Sequence, residues 1–172
     1  MILETARLKL RPLAATDAAP FHAMVSDPET MRFWDVAEIT DFETTTEILA
    51  GQLFEVASGS ALYWAIELTS DQTFVGNCDI ADINHHHRRA EIGFMLARAH
   101  LGMGYALEAM QSVITHAKAY LSLQRLTART HLGNTRSVAL LTMLGFHQEV
   151  VFRGYVARDN ERRDCQIFGL LL

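Results

Sequence analysis

The segment Ala90 to Ala109, AEIGFMLARAHLGMGYALEA, constrains this chain more tightly than any other. An apolar run from Ile92 to Leu96 has the length of a buried strand. Leu101-Gly102-Met103-Gly104-Tyr105-Ala106 follows, and a long amphipathic helix opens at once. Glycine lacks a Cβ and tolerates positive φ, so two glycines here let the backbone approach a bulky ligand closely. The helix turns its unpaired N–H groups and the positive end of its dipole back onto the loop. Strand, glycine loop and helix N-terminus together form an anion site suited to a pyrophosphate.

The 172 residues allow one domain with a real core and are too few for two ordinary ones, so residues 1–172 read as a single domain. A net charge of −5 argues against a nucleic-acid clamp, which carries a basic excess. Cys78 and Cys165 stand alone in strand-like contexts and read as buried, reduced thiols, with no metal-ligand spacing around them. The opening MILETARLKLRPL alternates and carries charge, so it is no signal peptide. No apolar run is long enough to span a bilayer. The expectation is a cytoplasmic protein with neither a membrane nor a nucleic acid as partner.

Alternation from Arg7 to Leu13 predicts a half-buried strand. Thr16 or Asp17 is placed to cap a short helix through Phe21, Met24 and Val25, and Asp27-Pro28 breaks the chain. A second helix starts after Asp41 and ends near Ser58-Gly59. Leu62 to Leu68 and Phe74 to Ile83 read as strands joined by a turn at Ser70-Asp71, and Arg89 to Leu96 as the third long one. Leu107, Met110, Ile114, Ala117 and Leu121 lay one helix face on a sheet. Leu126, Ala128 and Thr130 alternate in a further strand, Asn134 to Leu144 is a capped helix, and two strands around 148–156 and 163–171 close the chain. The prediction is an α+β fold, with antiparallel strands early and a βαβ crossover in the middle.

This order, with four local motifs, resembles the GNAT superfamily of acyl-CoA N-acyltransferases, and within it the branch of the ribosomal-protein alanine and serine N-acetyltransferases. The matching residues are TARLKLRPL with Asp17 shortly after, AEIGFML, GMGYALEA, and NTRSVALLTMLGF from Asn134 to Phe146. Each motif is weak alone; the ordered set is strong. The resemblance implies a splayed, mixed but mostly antiparallel sheet of about seven strands with four helices. Acetyl-CoA, as co-substrate and with no metal, would lie between two central strands that part. The acceptor would be a primary amine, on a small molecule or a protein N-terminus, and a homodimer is compatible with the family.

Residue by residue, the resemblance places the pyrophosphate on the backbone amides of Gly102, Met103, Gly104, Tyr105 and Ala106. The family often carries Arg, Gln or Trp where Leu101 stands, and Lys or Arg where Met103 stands. Without that cation the grip falls to the amides, the helix dipole, and Arg98 or His100. The thioester carbonyl would meet a backbone N–H on the stretch Phe94, Met95, Leu96, and Asn134 matches a CoA-contacting asparagine. Many members place a tyrosine acid for the thiolate where this chain has Leu141. Ser137 stands near the CoA sulfur in the resembled branch and is the substitute candidate. Phe33 and Trp34 fall in a loop that borders the acceptor pocket in that family.

Glu91 is the base candidate on the residues themselves. If Ala90, Ile92 and Phe94 face the core, alternation turns Glu91 to the other side, where a carboxylate can draw a proton from an amine through water. Plainer roles compete: a ligand-free turn for the glycines, capping for Asn134 and Ser137, a solvated carboxylate for Glu91, core packing for Phe33 and Trp34. His85-His86-His87 cannot converge on one ion and reads as an exposed hairpin tip. Acyl transfer directly within a ternary complex is the leading reading. A non-catalytic acyl-CoA binder or sensor of the same fold is the alternative, and a P-loop or dinucleotide binder is disfavoured by the loop's spacing.

Overall fold

The computed structural model describes residues 1–172. In chain order the elements are β1 (Leu3–Glu4), β2 (Leu8–Pro12), α1 (Ala18–Val25), α2 (Pro28–Met31), α3 (Phe42–Ser58), β3 (Leu62–Leu68), β4 (Phe74–Asn84), β5 (Arg89–Leu96), α4 (Tyr105–Ala119), β6 (Arg125–His131), α5 (Thr135–Met143), β7 (His147–Arg158) and β8 (Glu161–Leu171). The strands form one sheet in the order β1-β2-β3-β4-β5-β6-β8-β7. Every neighbouring pair is antiparallel except β5 and β6, which run parallel across the α4 crossover.

The α+β class and the central crossover are as the sequence predicts, and the expected seven or so strands and four helices are joined by one short strand and one short helix, giving eight and five. The additions are short. β1 has two residues, too few for a periodic pattern, and exists because Leu3 and Glu4 pair back on Leu10 and Lys9. α2 is one turn, opened by Asp27-Pro28 where the sequence reads as a break; Pro28 sits at the first helical position and Asp27 accepts from Thr30 N at 3.2 Å. Asp17 does not cap α1. Its buried carboxylate takes the Ala14 N–H at 2.9 Å and the fork of Arg11 at 2.8 and 2.6 Å, and Arg11 also donates to Glu67 at 2.8 Å.

Side chains on alternate β5 residues feed two cores, which is why the apolar run at Ile92–Leu96 is nearly continuous. Ala90, Ile92 and Leu96 join the main core with Met110, Val113 and Ala117 of α4 and Leu126 of β6, and Phe94 packs on its border. Met95 points through the sheet to Phe21, Met24 and Val25 of α1. Glu91 and Gly93 share that second face, as alternation predicts. Each fully buried Met110 or Leu126 side chain cut to alanine would cost about 2–5 kcal/mol. Cys78 and Cys165 are buried free thiols, and His85, His86 and His87 lie in the exposed β4–β5 turn.

Candidate active site

β5 and β6 stay together for only three residue pairs, Arg89, Ala90 and Glu91 against Arg125, Leu126 and Thr127, and then diverge. The register shows what faces the split. Ala97 N donates to Val75 O at 2.9 Å, continuing the β4–β5 ladder. Alternation then turns the N–H groups of Phe94 and Leu96 away from β4 and into the gap. Leu132 N donates to Asp164 O at 2.9 Å, which likewise turns the amides of Arg129 and His131 from β8 into the same gap. A cleft of about 210 Å³ opens there, with Phe33, Trp34, Glu91, Phe94, Asn134 and Ser137 among the residues that line it.

The glycine loop lies beyond the C-terminal end of β5. Gly102 and Gly104 have φ of +78° and +79°, a conformation costly for any residue with a Cβ. Glu108 is the first residue of α4 whose N–H is taken, by Gly104 O at 3.1 Å; the amides from Gly102 to Leu107 have no protein acceptor. Met103, Tyr105 and Ala106 therefore present a run of free donors at a helix N-terminus. Arg98, expected to lend charge here, pairs with Asp27 at 3.7 Å. The guanidinium that does stand at the loop is Arg7, whose Nη1 donates to Met103 O at 3.0 Å.

Asn134 caps α5 by accepting the Ser137 N–H at 3.2 Å, so the capping role is real. The Ser137 hydroxyl makes no hydrogen bond within the chain and lines the cleft. Leu141, one turn further on, is buried and closes the cleft where a hydroxyl-bearing side chain is absent. Phe33 and Trp34 line the cleft instead of disappearing into the core; Trp34 is 37 % exposed.

Glu91 is half-buried, and its nearest cation is Arg129, Nε to Oε1 at 3.9 Å. Burial raises its pKa; Arg129 opposes this, while Asp82 and Asp35 add to the rise. That places it nearer to neutrality than an ordinary glutamate, as a base should be.

Three cleft residues were not foreseen. Asp35 accepts from Arg129 Nη1 at 2.7 Å and pairs with His131 Nε2 at 2.8 Å, so two β6 side chains hold the Phe33–Val36 strap over the cleft. Arg158 adds a bond to Trp34 O at 2.9 Å. The signal was present: once Leu126, Ala128 and Thr130 take one face of β6, Arg129 and His131 must take the other. Only the partner, Asp35, lay out of reach of a sequence pattern. Asp35, His131 and Cys165 also bring three ligand-type atoms within 4.8 Å of one another. Arg129 on the same carboxylate works against a second cation, and burial raises the Cys165 thiol above its ordinary pKa.

Residues 7–147 match the model of the acetyltransferase (GNAT) domain. The chain belongs to the GNAT acetyltransferase family. An uncharacterized N-acetyltransferase, p20 of Bacillus licheniformis, is 32% identical over 98% of this chain and 95% of its own length. Among solved structures, RimL, a ribosomal alpha-N-protein acetyltransferase with coenzyme A, superimposes with a TM-score of 0.91 at 18% identity, covering 100% of this chain and 98% of its own. A spermidine N-acetyltransferase of Vibrio cholerae, solved with CoA and spermine, gives 0.86 at 20% identity over 97% and 96%. No helix is long and apolar enough to cross a membrane.

Proposed function

We propose that this chain moves an acetyl group from acetyl-CoA directly to a primary amine within a ternary complex. The observation that carries the reading is the β5–β6 split, where amides with no partner strand line a cleft continuous with Glu91 and Ser137. The pyrophosphate sits on the amides of Gly102 to Ala106, supported by the helix dipole. Asn134 lies along the pantetheine arm. The thioester carbonyl accepts from the Phe94 N–H, which stabilises the oxyanion as charge develops.

The acceptor enters past Phe33 and Trp34, and its amine must be neutral to attack. Its nitrogen forms the C–N bond as its proton passes through water to Glu91. The C–S bond then breaks, its electron pair leaves on sulfur, and Ser137 donates a hydrogen bond to the departing thiolate. A ping-pong route is disfavoured because both thiols, Cys78 and Cys165, are buried and burial raises the pKa of each, which keeps them protonated. The spermidine enzyme and RimL support the amine class, as a polyamine or a protein α-amine. A cytoplasmic location and a homodimer belong to the same proposal.

The test is amine-dependent release of CoA from acetyl-CoA, across spermidine and peptides with N-terminal alanine or serine. Release with at least one amine, without a radiolabelled acetyl-enzyme, is the expected result. CoA binding without turnover across the panel would favour the sensor reading, which the leucine at 141 and the absence of a cation at Met103 support.

A further inference from the structure

Asp79 on β4 is a sheet neighbour of Glu91. The β4–β5 register sets Asp79 opposite Gly93 and Ala81 opposite Glu91, so Asp79 and Glu91 stand on the same face, one diagonal step apart. Gly93 is what admits the Asp79 carboxyl group. A Cβ at Gly93 would meet Asp79 Oδ1 at 2.6 Å, Oδ2 at 2.9 Å and Cγ at 3.1 Å. The carboxyl thus fills the side-chain space of a residue that lines the cleft between Glu91 and Phe94.

No cation serves this carboxyl. Asp79 enters no ion pair, whereas Arg11 answers Asp17 and Glu67, Arg7 answers Glu108, and Arg129 answers Asp35. The groups that face it are Glu91 on β5, Glu55 on α3, and Tyr63, its cross-strand partner on β3, whose hydroxyl donates to Glu55 at 2.7 Å. Arg129, Asp35 and Asp82 act on Glu91. Desolvation and like charge disfavour the ionised form of a half-buried carboxyl surrounded by acids, so it takes up a proton more readily than a solvated aspartate.

We infer that Asp79 and Glu91, flanking Gly93, work as one proton-holding pair, and that the amine's proton, received at Glu91, comes to rest on Asp79. Burial, Glu91 and Glu55 push Asp79 up to about 7, with only a backbone hydrogen bond at Gly93 opposing them. A group of that basicity matches the pH at which an amine must be deprotonated. The charge on Glu91 is one of the causes that raise Asp79, so the protonation of the second acid depends on the first. Balance is kept: one proton leaves the attacking nitrogen, passes through Glu91 to Asp79, and is later released to solvent while the thiolate is protonated from water. Asp79 acts through Glu91 and is a positioning residue for the proton.

The pair rests on the acyl-transfer reading only for its role, so two measurements separate them. First, 13C NMR of the Asp carboxyl carbons in the wild-type chain should show one titrating near neutrality. That signal should vanish in Asp79→Asn and move down toward the ordinary aspartate range in Glu91→Gln. Second, with an accepted amine, Asp79→Asn should lower kcat/KM by on the order of 10²-fold at pH 7 and recover as pH rises, with acetyl-CoA KM unchanged. Gly93→Ala, which displaces the carboxyl without removing it, should reproduce the shifted pH profile. An Asp79 that titrates like a solvated aspartate, or an Asn variant with the wild-type pH profile, would overturn the pair. A wild-type chain that titrates as expected but releases no CoA would overturn the function reading and the pair's role in it, not the shared proton.

Discussion

Arg7 and Glu108 lie 101 residues apart in sequence and are joined by two contacts of 2.7 Å, Nε and Nη2 both to Oε2. The other carboxylate oxygen takes the Arg7 N–H at 2.8 Å and the Thr5 hydroxyl at 2.6 Å. The guanidinium lies 4.7 Å over the Tyr105 ring and reaches Met103 O. The chain entering β2 is thereby tied to the first turn of α4 and to the glycine loop in front of it. Arg7 is half exposed and its charge is matched by Glu108, so the pair adds little to global stability; what it holds is the path of the loop.

Replacing Arg7 by alanine should raise the KM for acetyl-CoA about tenfold, equivalent to about 1.4 kcal/mol, one charge-assisted hydrogen bond's worth of loop order. kcat at saturation should stay within about twofold, since the chemistry lies at the other end of the cofactor. Arg7→Lys keeps the charge but loses the fork and should recover only part of the affinity. An unchanged KM in Arg7→Ala would remove the brace from the account.

Gly104→Val places a β-branched residue at φ +79° in front of a run of free amides. Strain of about 1–2 kcal/mol opposes the left-handed conformation, and the new methyl groups block close approach of phosphate. Calorimetry should find no CoA binding by a chain whose circular dichroism is unchanged. Undiminished CoA affinity would move the pyrophosphate site elsewhere.

Ser137→Ala should leave acetyl-CoA affinity nearly intact and lower kcat by roughly 10²-fold, because in the proposed reaction the hydroxyl meets sulfur only as charge develops there. Helix α5 keeps its cap, which uses the Ser137 N–H and not the hydroxyl. Full kcat in the variant would return Ser137 to the role of an ordinary helix residue.

Stability should fall as pH rises through the window set by Asp79. Its folded pKa, about 7, lies above the ordinary 3.8, so between those values the folded state holds a proton that the unfolded chain releases. The folded state is then progressively disfavoured from about pH 4 up to pH 7. Asp79→Asn removes this penalty, so its Tm advantage over the wild type should be small at pH 4 and larger at pH 8. A Tm difference that does not vary with pH would contradict the raised pKa.

Local pattern carried much of this protein. Strand β5 was legible to the residue because turn residues bound an apolar run, and α3 because Asp41 caps it and Gly59 ends it in the left-handed region. The glycine loop, the Asn134 cap and the outward face of Glu91 follow from torsional freedom, capping and period-2 alternation, all short-range properties. β1 and α2 escaped because two- and four-residue elements have no period; they exist only where a neighbour supplies hydrogen bonds. The same reason hid the finer site. Arg7 on Glu108, Asp35 between Arg129 and His131, and Asp79 in the space over Gly93 are each made by residues far apart in sequence. Which carboxylate meets a guanidinium and which is left among other acids depends on sheet register and loop return. Coulomb interaction and desolvation act through space, so the chain alone determined the glycine loop at the helix N-terminus and the tertiary structure decided which charged groups meet around the cleft.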